Sequence, residues 1–342
     1  MRGLFKLFSR RQSLAAIATV SATTLSANQN TEATVLPLVK LNPKELLRNI
    51  ALTGSNIFVV WSAGLVKGAS RLACYELNGH PKWSVDLGTT RIFALHTCGD
   101  NEVALFTIQE GVSTVALSKF NAQGQLILED SLSFSRALLA VAANASEAFA
   151  LDFETNLITK HLGASKEPDK FPPAFDTPII GGFKPPAIVA SVHCFRDQVL
   201  LLDHVKARTV SVSNSGGYHS GQLNHPTINS AVERQDADVQ SRAALAGSSA
   251  NSQLMTFPKS IFMAASDQNA DLWIVASLGM RTIQLLRFNV LSGKSETVEV
   301  QSPTDPLLNK KPPLALAAST LHVAFGYREG AVAIVTQLGG TL

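Results

Sequence analysis

Short apolar runs recur along the whole chain, each only a few residues long and each bounded by Asn, Gly, Asp or Ser. Runs of this length that are rich in Val, Ile, Leu and Phe are typical of buried or half-buried β-strands. The clearest examples are NIFVVW at residues 56–61 and EVALFTI at residues 102–108. The pattern therefore predicts a protein built mainly from short strands.

One arrangement of these strands occurs three times. An apolar run, a turn that contains Asn and Gly, and a second run occupy residues 74–83, 117–126 and 286–294, and the first two copies lie about 44 residues apart. Because Asn and Gly tolerate positive φ, such a turn favours a tight hairpin. A hairpin that returns at a roughly fixed period is typical of a β-propeller.

The pattern predicts an all-β chain that forms a single β-propeller of four-stranded antiparallel sheets. Six blades are favoured, with five and seven as the alternatives, and the propeller is expected to occupy residues 46–342. The units lie near residues 49–87, 91–132, 137–162, 187–213, 261–300 and 314–338. Within the N-terminal segment 28–45, the strand-like residues 34–41 are expected to pair beside residues 331–336, which would close the ring and cover an exposed edge.

Two stretches are expected to be irregular connections. Residues 163–187 hold six of the fifteen prolines, which cannot donate to a sheet ladder. Residues 213–257 are rich in Ser, Asn, Gln, Ala and Gly and hold few large apolar residues that could offset the entropy of ordering. A degenerate seventh blade is the alternative for this second stretch, and residues 231–245 have some helical composition.

The first 27 residues are typical of an export signal. Arg2, Lys6, Arg10 and Arg11 precede a short apolar stretch and then small residues suited to cleavage, and the stretch is too short to span a bilayer. SRRQSL at residues 9–14 resembles a twin-arginine signal, although Ser13 stands where that motif usually carries Phe, so the general secretory route is the alternative. We therefore expect a periplasmic or secreted protein.

Loss of this leader would change the charge of the chain. The sequence holds 29 Lys and Arg against 26 Asp and Glu, and removing the four basic residues leaves 25 against 26, or about −1. A chain with so little net charge has no field that attracts nucleic acid. No later run reaches the length of a membrane helix, so we expect no integral membrane segment after cleavage. The expected partner is a protein or a small molecule.

The three cysteines, Cys74, Cys98 and Cys194, lie in apolar strand-like runs. Buried Cys usually behaves as a small hydrophobe, and this interpretation is preferred to a redox pair. His96 lies near Cys98 and His193 adjoins Cys194, but the spacing of metal-ligand motifs is absent. The sequence therefore predicts neither a metal site nor a cofactor.

A binding loop is expected around Tyr218, His219 and His225, because propeller ligands are commonly held by loops at one end of the ring. Solvated loop histidines are the alternative for these positions. Asp152, Asp203 and Asp267 recur near strand ends; they are expected to cap turns, with carboxylates around a common channel as the alternative. Trp83 is predicted to pack between neighbouring blades.

The segment YELNGHPKWSVDL at residues 75–87 resembles the repeat of pyrroloquinoline-quinone-like propellers, whose blades end in a hairpin of the type Asp-x-x-x-Gly-x-x-x-Trp. It is also similar to NHL and other six-bladed bacterial propellers. Only the first of the three hairpin units carries the Trp, at Trp83, and the calcium ligands of the quinone-dependent enzymes are not recognisable. The resemblance implies an exported bacterial propeller and no particular chemistry.

The function favoured by the sequence is a binding or scaffolding module for a protein or small ligand in the cell envelope. The chain carries no nucleophile elbow, phosphate loop, zinc-protease motif or calcium loop. The alternative is a propeller-type enzyme, either a quinoprotein-like oxidoreductase or a metal-dependent hydrolase. A purely structural role in a larger assembly is a third hypothesis.

Overall fold

The strands of the chain form a ring of six sheets. The computed structural model describes residues 31–38, 44–63, 68–108, 113–134, 137–175, 189–195, 198–213, 217–246, 260–267, 271–278, 282–301 and 312–336. Within these residues there are 25 strands and one helix.

Each blade has four antiparallel strands, and in blades 1 to 5 the chain builds these four from the inner strand outward. Blade 1 contains β3 (Leu46–Leu52), β4 (Asn56–Ser62), β5 (Ser70–Glu76) and β6 (Pro81–Gly88). Blade 2 contains β7 (Arg91–Gly99), β8 (Glu102–Ile108), β9 (Thr114–Asn121) and β10 (Leu126–Ser133). Blade 3 contains β11 (Leu138–Ala143), β12 (Glu147–Asp152), β13 (Asn156–His161) and β14 (Asp169–Pro173).

The remaining blades follow the same order. Blade 4 contains β15 (Ala190–Cys194), β16 (Gln198–Asp203), β17 (Arg208–Ser213) and β18 (Tyr218–Gln222), and it is followed by helix α1 (Pro226–Ala246). Blade 5 contains β19 (Met263–Ser266), β20 (Asp271–Leu278), β21 (Thr282–Asn289) and β22 (Ser295–Gln301). Blade 6 contains β23 (Ala315–Ala318), β24 (His322–Gly326) and β25 (Ala331–Thr336).

The N-terminal strands pair with the outer strands of the last two blades. β2 (Thr34–Pro37) pairs antiparallel with β25, with Thr34 opposite Ile334 and Pro37 opposite Ala331, and supplies the fourth strand of blade 6. β1 (Thr31–Glu32) pairs in parallel with the outer strand of blade 5. The two ends of the described chain therefore meet in one sheet, which closes the ring as the sequence predicts.

The first strand of every blade contacts the first strands of both neighbouring blades, so these six strands line the centre of the ring. The prediction of a single six-bladed β-propeller is confirmed. The architecture also agrees with the resemblance to six-bladed bacterial propellers.

The hydrophobic core is divided among the six junctions between blades. On β4, Ile57 and Val59 pack with residues of blade 6, whereas Phe58 and Val60 pack with residues of blade 2. All seven residues of this strand are buried, because successive side chains point to opposite faces and a neighbouring blade covers each face. A continuous apolar run is therefore the sequence pattern of a middle strand in this ring.

The repeated Asn/Gly turns join the third and fourth strands of blades 1, 2 and 5. Their glycines have positive φ, at 87° for Gly79, 82° for Gly124 and 69° for Gly293. In blade 2, the Asn121 side-chain oxygen also accepts hydrogen bonds from the backbone N–H groups of Gln123 and Gln125, each at 3.0 Å. The left-handed glycine and the Asn side chain together close the hairpin.

The two stretches expected to be irregular contain regular elements. Residues 163–187 include β14, the outer strand of blade 3, in which two prolines are tolerated because one side of an edge strand has no ladder to satisfy. Residues 213–257 include β18, which completes blade 4, and the 21-residue helix α1. In the described part of the second stretch, β18 belongs to blade 4 because it pairs with β17, and the residues that follow form α1 rather than a seventh blade.

Candidate functional site

A cavity of about 330 Å³ lies at the centre of the ring. Its walls come from the first strands of blades 1, 2, 5 and 6, together with His204 and the segment before β19. His204 directly follows β16, and Ser260 and Phe262 directly precede β19. Because consecutive strands alternate in direction, the end of a second strand and the start of a first strand lie at the same face of the ring. The cavity is therefore built at that face.

Most of the cavity wall is apolar, with a few polar side chains among the apolar ones. The apolar part includes Ile50, Leu95, Phe262, Met263 and Leu316. The polar side chains are those of Asn49, His96, His204 and Ser260. Such a lining suits a ligand that is largely apolar and carries a hydrogen-bonding group.

A hydrogen-bonded chain of serine and histidine side chains runs beside the cavity. On β15, the Ser191 hydroxyl oxygen lies 2.6 Å from Nε2 of His193 and 2.6 Å from Nε2 of His204. On its other side, Nδ1 of His204 lies 3.1 Å from the Ser260 hydroxyl oxygen and 3.1 Å from the Phe262 carbonyl oxygen. The ring of His204 is also stacked on that of Phe262, with centroids 4.9 Å apart.

The partners of His204 determine where its proton lies. The Ser260 hydroxyl donates to the Phe262 carbonyl, so both groups that face Nδ1 of His204 are acceptors. Nδ1 must therefore carry the proton, and Nε2 of the neutral ring is free to accept the hydroxyl proton of Ser191. Ser191 then accepts a hydrogen bond from Nε2–H of His193. When both histidines are neutral, the hydrogen bonds therefore run in one direction, from His193 to Ser191 and from Ser191 to His204.

The histidines at the centre of the ring favour their neutral forms. Burial lowers the pKa of His96 to about 4, against the opposing effect of a hydrogen bond to the Val141 backbone. Burial also lowers the pKa of His193 well below its usual range, and the neighbouring His204 and His96 add to the effect. The pKa of His204 is lowered by burial, although its bond to Phe262 and the charge of Asp203 act in the opposite direction.

The residues expected to form a binding loop lie elsewhere. Tyr218 and His219 are part of β18, on the outer side of blade 4. The Tyr218 hydroxyl donates to the Pro172 carbonyl at 2.8 Å and links β18 to the outer strand of blade 3, while the His219 side chain is exposed. His225 is buried just before α1, where its Nδ1 accepts a hydrogen bond from the Thr227 N–H at 3.3 Å. None of the three lines the central cavity.

The recurring aspartates hold turns, as expected. Asp152 accepts hydrogen bonds from the N–H groups of Glu154 and Asn156, and Asp203 accepts one from Val205. Asp267 accepts one from the Asp271 N–H at 3.1 Å. The carboxylates of Asp152 and Asp203 also pair with Lys170 and Arg208, so they do not meet around the channel.

The cysteines are buried and unbridged. Cys74, Cys98 and Cys194 are free thiols in the packed junctions between blades. Burial raises the pKa of Cys74 to about 12 and that of Cys98 to about 12, and it also raises the pKa of Cys194. Thiols held in the protonated form are poor nucleophiles, which agrees with a packing role.

Sequence reasoning did not single out Ser191, His204 or Ser260. No local motif joins them, because they come from β15, the turn after β16 and the connection before β19. A signal is nevertheless present, since Ser191 and His193 are polar residues at alternate positions of an otherwise apolar strand. Two polar residues on one face of an inner strand indicate a polar patch that faces the channel.

The described ranges contain neither a cluster of metal ligands nor a membrane-spanning helix. No three His, Cys, Asp or Glu side chains come together there as ligands for a metal ion. The one helix of those ranges also does not combine the length and the apolar character needed to cross a membrane.

Comparisons with known proteins agree with the fold. No protein-family model matches the chain, and no curated protein matches it by sequence. Among solved structures, a protein of unknown function from Bacteroides thetaiotaomicron VPI-5482 is similar, with a TM-score of 0.52, 10% identity and coverage of 90% of this chain and 74% of that one.

Two other similar structures have established names. Virginiamycin B lyase from Staphylococcus aureus gives a TM-score of 0.45 at 10% identity, with coverage of 90% of this chain and 99% of that one. The Cps50 (Swd1) β-propeller domain from Myceliophteria thermophila gives a TM-score of 0.47 at 10% identity, with coverage of 90% and 100%. At these identities the likeness concerns the propeller fold alone.

Proposed function

We propose that this protein is an exported binding module that holds a small, largely apolar molecule in the centre of its propeller. The observation that carries the proposal is the central cavity, whose apolar walls are interrupted by Asn49, His96, His204 and Ser260. Apolar walls favour transfer of an apolar group out of water, by roughly 25 cal/mol for each Å² buried. The polar side chains would orient the ligand.

The size of the cavity limits the ligand. Its volume of about 330 Å³ lies near the lower end of the range for small-molecule sites, about 300 to 1,000 Å³. A ligand with a single ring, or a short chain and one polar group, fits such a space. The neutral histidines favour a hydrogen-bonding ligand over an anion, since a permanent positive charge is not among the groups that line the cavity.

Benzyl alcohol is a suitable probe, because it combines one apolar ring with one hydroxyl. We expect it to bind in the cavity and to shift the NMR signals of the Met263 and Leu316 methyl groups. Replacing Asn49 by Phe would fill part of the cavity, so Asn49→Phe should weaken binding at least tenfold in a calorimetric titration. Gln222→Phe, at an exposed position on β18, is the matched control and should bind as the unaltered protein does.

Either of two results would overturn the proposal. If benzyl alcohol shifts no signal of a cavity residue, or if Asn49→Phe and Gln222→Phe bind it equally well, the central cavity is not a ligand site. The melting temperature of each variant shows whether its propeller is still folded.

The location in the cell envelope rests on residues 1–27, which have the charge and hydropathy pattern of an export signal. We expect the exported form to begin at or after Thr23. N-terminal sequencing of the protein from its host tests this, and a full-length chain in the cytosolic fraction would contradict it.

A further inference from the structure

Ser191 and His204 have the arrangement of an activated nucleophile and its base. The Ser191 hydroxyl donates to Nε2 of His204 over 2.6 Å, and the ring of His204 is oriented by acceptors on its opposite nitrogen. Nucleophilic catalysis requires these three parts: a hydroxyl, a base within hydrogen-bond distance, and a group that fixes the tautomer of the base. Here the Phe262 carbonyl and the Ser260 hydroxyl supply the third part.

The central cavity would give a substrate access to this serine and histidine. His204 lines the cavity, and Ser191 is only partly buried although it lies on the innermost strand of its blade. A carbonyl group at the cavity edge beside His204 would lie next to the Ser191 oxygen, with its acyl chain against Phe262, Met263 and the other apolar residues. The cavity volume suits a compact acyl group.

A hydrogen-bond donor also adjoins the nucleophile. Nε2 of His193 lies 2.6 Å from the Ser191 oxygen, and this ring is buried. When the serine oxygen attacks a carbonyl carbon, negative charge develops on the carbonyl oxygen, which is bonded to the same carbon. As the new bond forms, the His193 N–H that donates to the serine oxygen would shift to the adjacent carbonyl oxygen and stabilise this charge.

We propose that Ser191 and His204 hydrolyse small carboxylic esters whose acyl group enters the central cavity, with His193 as the donor to the oxyanion. In the first step the Ser191 oxygen bonds to the acyl carbon, its proton passes to Nε2 of His204, and the alcohol leaves with that proton. In the second step water attacks the acyl-serine and gives its proton to His204. The bond between the acyl carbon and the Ser191 oxygen then breaks, Nε2 of His204 returns its proton to that oxygen, and the acid is released.

This activity goes beyond ligand binding and relies on the proposed function only for the position of the acyl group. The lowered pKa of His204 keeps Nε2 free to accept a proton below pH 6.5. The activity should therefore persist at a more acid pH than the ordinary pKa of histidine would allow.

The experiment uses two probes on the full chain. With 4-nitrophenyl acetate we expect hydrolysis that Ser191→Ala and His204→Gln each reduce at least 100-fold, a loss within the range for a nucleophile or a general base. Ser220→Ala, which alters an exposed serine on β18, should leave the rate unchanged. Diisopropyl fluorophosphate should add one diisopropylphosphoryl group to Ser191, seen by mass spectrometry of the peptide, with loss of fluoride.

Ser191→Cys gives a second test that does not depend on turnover. If His204 acts as a base, the new thiol should react with iodoacetamide faster than the same thiol in Ser191→Cys with His204→Gln. Equal alkylation rates in these two proteins, or diisopropyl fluorophosphate labelling that is absent from Ser191, would overturn the inference. Benzyl alcohol binding without labelling would leave the binding function intact, and labelling without benzyl alcohol binding would remove the binding function alone.

Discussion

At the scale of single residues, Trp83 shows how one blade is attached to the next. Its ring lies 5.9 Å from that of Phe58 in its own blade and 6.4 Å from that of Phe120 in blade 2. Its Nε1–H donates to the Ala122 carbonyl at 2.8 Å, across the junction. The hairpin of blade 2 comes so close that a Cβ at Gly124 would lie 2.8 Å from Cδ2 of Trp83.

Trp83→Ala should lower the free energy of unfolding by about 2 kcal/mol. This is less than the roughly 3–5 kcal/mol typical of a fully buried Trp, because the Trp83 ring is half-buried. Trp83→Phe keeps a ring at the junction and loses the hydrogen bond, so it should cost about 1 kcal/mol. Urea unfolding measures both, and a loss near zero for Trp83→Ala would show that the ring does not join the blades.

Gly124 gives a matched test of the same contact. Gly124→Ala should be destabilising because φ is +82° and because the new methyl would overlap Trp83, whereas Gly54→Ala has open space and should be close to neutral. In the Trp83→Ala background the overlap disappears, so Gly124→Ala should cost less there. Equal costs in the two backgrounds would mean that the indole ring is not the obstacle.

At the scale of elements, α1 begins where two local features and one tertiary contact agree. Pro226 occupies the first helical position, where its fixed φ and missing N–H are tolerated. His225 precedes it and accepts the Thr227 N–H through Nδ1. Nε2 of His225 lies 3.2 Å from the Thr297 hydroxyl and so connects the helix start to the outer strand of blade 5. The helix then buries Ile228 against Leu202 and Phe262.

His225→Ala should loosen the first turn of α1. Loss of a cap usually costs about 1 kcal/mol, and amide hydrogen exchange within residues 227–232 should become faster. His225→Asn retains an acceptor for the Thr227 N–H and should restore much of the protection. His219→Ala, at an exposed position on β18, serves as the control, and exchange rates that are equal in His225→Ala and His219→Ala would contradict this role.

At the scale of the whole molecule, histidines connect stability to pH. Burial lowers the pKa of His96, His193, His204, His225 and His322. In the unfolded chain each of these rings takes up a proton near pH 6.5, while the folded protein keeps it neutral to a lower pH. The unfolded state therefore binds more protons over this interval, and stability falls as the pH decreases.

The protein should thus lose stability on acidification from pH 6.5 towards pH 4, by up to about 1.4 kcal/mol per pH unit for each such histidine. The midpoint of urea unfolding at several pH values measures the slope. His96→Asn should make the slope shallower, because His96 has its pKa lowered to about 4. If the free energy of unfolding stays constant from pH 7 to pH 4.5, these rings take up protons as easily in the folded protein as in the unfolded chain.

The amino-acid sequence by itself determined the class of the fold. Continuous apolar runs such as residues 56–61 indicate strands covered on both faces, and Asn/Gly turns such as Asn121 to Gly124 fix hairpins through backbone conformation. Both signals are local, so they can be read without knowing what lies nearby. The strand near residues 34–37 could also be assigned to the last blade. Pairing there closes the ring and covers the edge of residues 331–336 that would otherwise be exposed.

Only the tertiary structure decided which polar residues meet. β14 and β18 lie in polar, proline-rich or glycine-rich sequence and show no apolar pattern of a strand. An outer strand buries little apolar surface and is held by hydrogen bonds to its partner strand instead. Ser191, His204 and Ser260 come from three separate segments, whereas Tyr218, His219 and His225, which were expected in a binding loop, lie on β18 and just before α1. Convergence depends on the ring geometry, which places the ends of distant strands at one face, and linear spacing does not carry that information.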